Sequence, residues 1–297
     1  MSTPTVGKID LIPLWRTGWR KLVAFRTVAQ KKMEGPLTAA DMLARIAAVQ
    51  KEAAETPSLG AKTAALWKME SLGVTFGRVA QAGDTLNDPR LPVEARPIAH
   101  VGMGVAAVET TDFNSAQITR MIDSLSHPDY RLFGYESIGA MLGVYEKTVP
   151  RVLLGLVPLH RPDPAQFIPT FRPEVLRLIS HGYGRLLYFN SKDIRTAFRN
   201  ILKRKFLEVL PAVQGMAFGY SMVNSMDLDR VLATGGRLPS PELVGAFKTG
   251  LIYALMFWEW ESPGFLQTLQ IAKSPGRELL AAARAEIEAA RKRRRRA

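Results

Sequence analysis

Apolar residues recur every three or four positions along most of the chain, the spacing of one face of an α-helix. In the segment 39–55, Ile46 and Val49 belong to such a stripe, and Thr38 with Asp41 forms a capping-box pattern at its start. The same periodicity predicts helices in segments 61–82, 115–127, 193–202 and 241–260, and from residue 274 onward. No segment alternates apolar and polar residues over a strand length between hairpin turns. The pattern therefore predicts an all-α protein.

A glycine-rich segment occurs twice, 81 residues apart. Each copy begins with a His and two nearby Gly, and a further Gly follows 34 residues after the His. The two copies are His100, Gly102, Gly104 and Gly134, and His181, Gly182, Gly184 and Gly215. An amphipathic helix lies within each copy, so the duplication predicts a helical-repeat array of two similar halves.

Proline and charge divide the chain further. Six prolines cluster between the two copies, which is typical of a linker that wraps the surface. The predicted parts are a basic amphipathic N-terminal arm (1–37), a first helical half (38–149), a Pro-rich linker (150–173), a second helical half (174–273), and an Ala/Arg-rich C-terminal helix with a basic tail (274–297).

Composition narrows the class of protein. An apolar content of 47% provides ample material for a buried core. The absence of Cys excludes disulfides, thiolate metal sites and Cys nucleophiles. The uncharged apolar run 251–258 is too short to cross a bilayer, and the N-terminus shows no secretory signal. We expect a cytoplasmic protein, or one that is peripheral to the membrane.

Positive charge is concentrated at the two ends of a chain whose net charge is +13. The N-terminal arm combines apolar anchors and cations at Trp15, Arg16, Trp19, Arg20 and Lys21. We favour an arm that folds onto the body over one that docks on a membrane. For the basic run 291–297 we favour a disordered extension over a binding arm. If the ends do bind, their partners are anionic lipid or nucleic-acid phosphate.

Histidines are the main candidates for chemistry. No two have the spacing of a metal-binding pair, and no Gly-rich strand-to-helix fingerprint for a nucleotide is present, so we expect neither a metal nor a cofactor. His100 and His181 occupy equivalent positions in the two copies. Acid–base work by His181 or His100, assisted by Arg185 or Tyr183, is one interpretation. The commoner role of such a His is a hydrogen bond to a backbone carbonyl.

Glycines within the predicted helices need a compensating gain, because a mid-helix Gly costs about 1 kcal/mol relative to Ala. Close packing of neighbouring helices is the interpretation that we favour. The alternative is an apolar groove for a long hydrophobic ligand. The glycines that would wall such a groove are Gly102, Gly134, Gly139, Gly182, Gly215 and Gly219.

The runs 181–189 and 215–220 resemble the second half of a bacterial family of unknown function, the UnbL-type proteins encoded beside enediyne polyketide synthases. The segments 76–80 and 100–106 resemble its first half, so the likeness extends over about residues 72–258. The resemblance implies a cytoplasmic accessory protein in polyketide or polyene maturation that works with a membrane protein.

Two functions remain open from the sequence. The first, which we favour, is an accessory protein or cofactor-free enzyme of enediyne or polyene polyketide biosynthesis that holds a hydrophobic polyene or lipid-like molecule between Gly-rich helices. The second is a non-enzymatic basic helical scaffold that binds an anionic membrane surface, a membrane protein or another protein partner. Nucleic-acid binding is a weaker third interpretation that rests on charge alone.

Overall fold

A computed structural model describes residues 38–55, 59–80, 85–86, 96–145, 162–271 and 274–296. All regular structure within these residues is helical, which confirms the predicted all-α class. The arrangement as a repeat of two similar halves stays a prediction. The N-terminal arm, with Trp15, Arg16, Trp19, Arg20 and Lys21, and the linker residues 150–161 lie outside the described residues.

The described helices are between 4 and 23 residues long. In chain order they are α1 Ala39–Glu55, α2 Leu59–Val79, α3 Arg96–Thr110, α4 Ser115–Leu125, α5 Arg131–Tyr145, α6 Pro164–Phe167, α7 Pro173–Asn190, α8 Ile194–Lys203, α9 Val209–Asn224, α10 Leu228–Gly235, α11 Pro241–Glu261, α12 Phe265–Thr268 and α13 Ser274–Arg296. Single 3₁₀ turns occur at Pro128–Tyr130, Ile168–Thr170 and Ser225–Asp227.

Side-chain caps fix where several helices begin. The Thr38 hydroxyl accepts a hydrogen bond from the backbone N–H of Asp41, and the Asp41 carboxylate accepts one from the backbone N–H of Thr38, each at 3.1 Å. This reciprocal pair is the capping box that the sequence predicts for α1. Asn114 caps α4 by accepting from the backbone N–H of Gln117 at 3.0 Å. Both predicted caps are confirmed.

The described residues fall into two compact units. The first unit contains residues 38–183 and 204–208, and the second contains 184–203 and 209–296. The division lies inside α7, after Tyr183. The reason is packing, because residues of α7 up to Tyr183 pack on α5, whereas the residues from Gly184 onward pack on α9.

In the first unit, α2 and α3 form the most extensive helix pair, and α3 also packs on α5. Ile98, Met103 and Ala106 of α3 are completely or almost completely buried, as are Ile118 and Ile122 of α4. These two isoleucines belong to the stripe that the periodicity of 115–127 predicts. The apolar face of α4 therefore lies in the core as expected.

In the second unit, α9 and α11 form the central pair. Helix α13 packs on α11 and α10 through a buried stripe of Leu279, Leu280, Ala283 and Ile287. Its helical backbone continues through Arg296, so most of the basic run, for which the sequence favoured a disordered extension, is helical. Within the described part of the chain, no helix is both long and apolar enough to cross a membrane.

Candidate functional site

Helices α5 and α7 cross at very short range in the first unit. A Cβ built on Gly182 would overlap the carbonyl oxygen of Glu136 and would lie 3.0 Å from the backbone nitrogen of Ala140. A Cβ on Gly139 would overlap the carbonyl oxygen of Ile179 in the same way. Glycine is thus required on both helices at this crossing, since any side chain would force the two backbones apart.

The crossing brings His181 of α7 next to Glu136 of α5. The His181 Nδ1 lies 3.1 Å from the Glu136 Oε1, and the exposed fractions of the two side chains are 16% and 6%. A carboxylate that accepts from Nδ1–H fixes the tautomer and the orientation of an imidazole. The His181–Glu136 pair therefore has the geometry of a positioned acid–base group.

The other two side chains proposed to act with His181 have different surroundings. Tyr183 is completely buried, and its ring makes an edge-to-face contact with Phe206 at a centroid distance of 5.6 Å. Arg185 belongs to the second unit, where its guanidinium carbon lies 5.8 Å from the centre of the Phe218 ring. The guanidinium carbon of Arg204 lies 5.9 Å from the centre of the Tyr183 ring. The structure therefore joins His181 to Glu136.

His100 is completely buried at the start of α3. Its Nδ1–H donates to the carbonyl oxygen of Arg96 at 2.6 Å, and its Nε2 accepts from the backbone N–H of His127 at 2.9 Å. Burial lowers the pKa of His100 to about 4, so the ring is neutral at pH 7. His100 thus links the first turn of α3 to the turn that begins at Pro128. A hydrogen bond to a backbone carbonyl is the role that the sequence analysis gave as the commoner one for such a His.

Glycines also fill the crossings of α3 with its neighbours. A Cβ on Gly102 would overlap the carbonyl oxygen of Glu70 in α2, and one on Gly104 would overlap the carbonyl oxygen of Gly134 in α5. From the opposite helix, a Cβ on Gly73 would overlap the carbonyl oxygen of Ala99. The two glycines that open the first copy of the duplicated segment therefore approach two different helices.

The two glycines that open the second copy, Gly182 and Gly184, also approach the backbones of two different helices. Gly182 approaches Glu136 in the first unit, and Gly184 approaches the carbonyl oxygen of Ala212 in the second. Gly219 is less confined, since a Cβ there would lie 3.2 Å from the Arg185 carbonyl oxygen. Gly215 is buried. The space beside Gly182 and Gly184 is occupied by protein backbone, which is what the packing interpretation requires at these two positions.

A polar cluster in the first unit was missed by sequence reasoning. The Tyr135 hydroxyl donates to the Asp123 Oδ1 at 2.8 Å, while Arg131 Nε lies 3.4 Å from the same oxygen and Arg172 Nη2 lies 3.7 Å from Oδ2. Burial, with the Asp123 carboxylate adding to it, raises the pKa of Tyr135 to about 12. Only the i, i+4 spacing of Arg131 and Tyr135 is visible in the sequence. The other partners come from separate helices or turns, so no sequence signal identifies the cluster.

Possible binding features elsewhere are modest. A shallow, open concavity in the second unit is lined by Leu238, Pro239, Ser240, Pro241, Val244, Gly245 and Lys248. None of the glycines predicted to wall a ligand groove lines it. No cluster of three or more His, Asp or Glu with metal-binding geometry occurs within the described residues.

Comparison with known proteins adds no further assignment. No protein-family model matches the chain, and neither does any curated protein or solved structure.

Proposed function

We propose that this chain is a non-enzymatic helical scaffold that binds an anionic membrane surface through its basic ends. The observation that carries the proposal is the course of α13. Its first half is fixed in the second unit by the buried Leu279, Ala283 and Ile287, and its helical backbone then continues through the basic residues 291–296.

Helical geometry makes this basic stretch a poor core element and a good electrostatic contact. Successive residues of an α-helix are rotated by about 100°, so a sequence of six consecutive cations contains no apolar stripe that a core could bury. Cations also interact favourably with the partial negative charge at a helix C-terminus. A basic residue near an anionic bilayer contributes about 1 kcal/mol of attraction.

Two further points favour a scaffold over a ligand carrier. Neighbouring backbones occupy the space beside Gly102, Gly139 and Gly182, so these glycines do not wall an open groove. The sequence of the N-terminal arm also predicts a basic amphipathic helix, whose Trp15 and Trp19 would supply a second, interfacial contact.

Vesicle binding tests the proposal. Full-length protein is sedimented with phosphatidylcholine vesicles that contain or lack phosphatidylserine. Replacing residues 291–296 by Gln, which keeps the helix propensity, is expected to weaken binding to the anionic vesicles by roughly a hundredfold if three of the six cations reach the surface. Gln at the exposed Arg230 and Lys248 is compared with Gln at Arg295 and Arg296 alone, so that the two variants lose the same net charge. The proposal fails if both the 291–296 variant and a protein lacking residues 11–32 bind like the unchanged chain.

A second candidate function is favoured by the His181–Glu136 pair and by the family resemblance. It is an accessory protein or cofactor-free enzyme that binds a polyene intermediate in enediyne or polyene biosynthesis, with His181 as the acid–base group. Native mass spectrometry of protein purified from its own host tests this function. A bound polyene that is lost in the His181→Gln variant supports it, and protein that carries no small molecule contradicts it.

A further inference from the structure

Helix α8 presents a basic face to solvent. Lys192, Arg199 and Lys203 are exposed and Arg195 is half-buried, and we call these four residues the α8 basic face. At about 100° per residue, the three members within the helix lie inside an arc of about 80° and are spaced about 6 Å apart along its axis. They form one continuous stripe of positive charge.

The packing of α8 fixes the direction in which this stripe points. Ile194, Ala197, Phe198 and Ile201 are completely or almost completely buried, and they occupy the opposite side of the helix. The helix cannot rotate without exposing Phe198 and the two isoleucines, which would be strongly unfavourable. The α8 basic face is therefore held outward by the core of the second unit.

The described residues offset only part of the positive charge of this face, through the electrostatic interaction of Asp193 with Lys192 and Arg195. None of them forms an ion pair with Lys192, Arg195, Arg199 or Lys203. The neighbouring carboxylate, Asp193, is nearly completely buried and accepts from the backbone N–H of Thr196 at 2.6 Å, so it serves as a cap at the start of the helix. Four cations that outnumber the neighbouring carboxylate leave a net positive surface, which is typical of a site that meets an anion.

We infer that the α8 basic face is a second contact for the headgroups of an anionic membrane, an inference that rests on the proposed function. Its surroundings favour lipid over nucleic acid. Val209 and Leu210, the first residues of α9, have exposed fractions of 37% and 43%, and only residues 204–208 separate them from Lys203. A short stretch of chain that carries both cations and exposed aliphatic side chains is typical of an interfacial membrane site, whereas single-stranded nucleic-acid sites add aromatic rings for base stacking. The aromatic residues nearest to this face along the chain, Phe189, Phe198 and Phe206, are buried or half-buried.

Charge reversal in the full chain tests the inference. The Arg195→Glu/Arg199→Glu variant is compared with Arg230→Glu/Lys248→Glu, which makes the same change in net charge at exposed cations of α10 and α11. Binding to phosphatidylserine-containing vesicles is measured by sedimentation, and circular dichroism at 222 nm checks that both variants are folded. We expect the α8 variant to bind roughly thirtyfold more weakly than the unchanged chain, and the matched control to change by less than about threefold.

The same comparison in a chain with Gln at 291–296 separates this inference from the proposed function. If the Gln substitutions leave binding unchanged while α8 charge reversal weakens it, the inference stands and the contact assigned to α13 is wrong. If the α8 variant binds like its matched control while the Gln substitutions weaken binding, the inference is overturned and the proposed function stands. If the unchanged chain does not bind anionic vesicles, or if it binds single-stranded RNA through this face instead, the membrane assignment is overturned.

Discussion

Replacing Gly102 by Ala tests whether its missing side chain serves packing or a ligand groove. A Cβ at this position would overlap the Glu70 carbonyl oxygen and would lie 2.7 Å from the Val74 nitrogen, where ordinary contact begins at 3.4 Å. The atoms that it meets belong to the backbone of α2 and cannot rotate away. Helices α2 and α3 must therefore separate by roughly 1 Å or more at this crossing.

The expected change in the free energy of unfolding is the difference of two effects. Overpacking of a well-filled core costs about 1–3 kcal/mol, and a clash with backbone belongs near the upper end of that range. The substitution gains about 1 kcal/mol because Ala has a higher helix propensity than Gly. We therefore expect Gly102→Ala to destabilise the protein by about 2 kcal/mol.

Gly245 provides a matched control inside α11. No atom outside its own helical turn and chain neighbours lies within 4 Å of a Cβ built there. Gly245→Ala should stabilise the protein by about 0.5–1 kcal/mol through helix propensity alone. The two variants are compared by urea unfolding, followed by circular dichroism at 222 nm. Equal stabilisation by both substitutions would refute the packing argument and would favour an open space beside Gly102.

Three further predictions concern buried polar groups. The pKa of His100 is about 4 in the folded chain and about 6.5 in the unfolded chain, so the unfolded state binds more protons between these pH values. Up to about 3 kcal/mol of the free energy of unfolding should therefore be lost as the pH falls from 6.5 to 4. Urea unfolding across this pH range measures the loss, and an equally steep loss in His100→Gln would assign the effect to other groups. Tyr135, whose pKa is raised to about 12, should keep its proton above pH 10. In a pH titration followed by the tyrosinate absorbance at 295 nm, Tyr135→Phe should therefore remove a transition near pH 12. Loss of a transition near pH 10 would contradict this. Glu259 accepts from the backbone N–H groups of Gly264 and Leu266 at 3.0 and 2.9 Å, so Glu259→Gln should destabilise the protein by about 1–3 kcal/mol in urea unfolding, and an unchanged midpoint would count against that capping role.

Local features of the fold could be predicted because their partners are close in sequence. The capping pair of Thr38 and Asp41 and the Asn114 cap each span three residues, and the helical stripes follow from periodicity alone. The end of α13 was harder to predict, because a run of cations has no hydrophobic periodicity, and the backbone extends the helix that the buried residues before it establish.

Long-range features could not be predicted in the same way. Glu136 and His181 are 45 residues apart, and their meeting depends on which helices cross and at what distance. The sequence indicated that the helical glycines need a compensating gain, but it did not indicate which neighbour each glycine approaches. The division of the chain inside α7 likewise depends on what packs on either side of Tyr183, and no signal in the sequence marks it.

The crossing of α2 and α3 has a consequence for how this chain can diverge in evolution. An apolar core residue can be exchanged for another of similar volume, so most core positions can drift while the fold persists. Gly73 and Gly102 have no such substitute, because each meets the other helix's backbone and every other residue type carries a Cβ. Distant descendants should therefore retain these two glycines after the surrounding apolar residues have changed. A spaced-glycine fingerprint would then persist longer than overall sequence similarity.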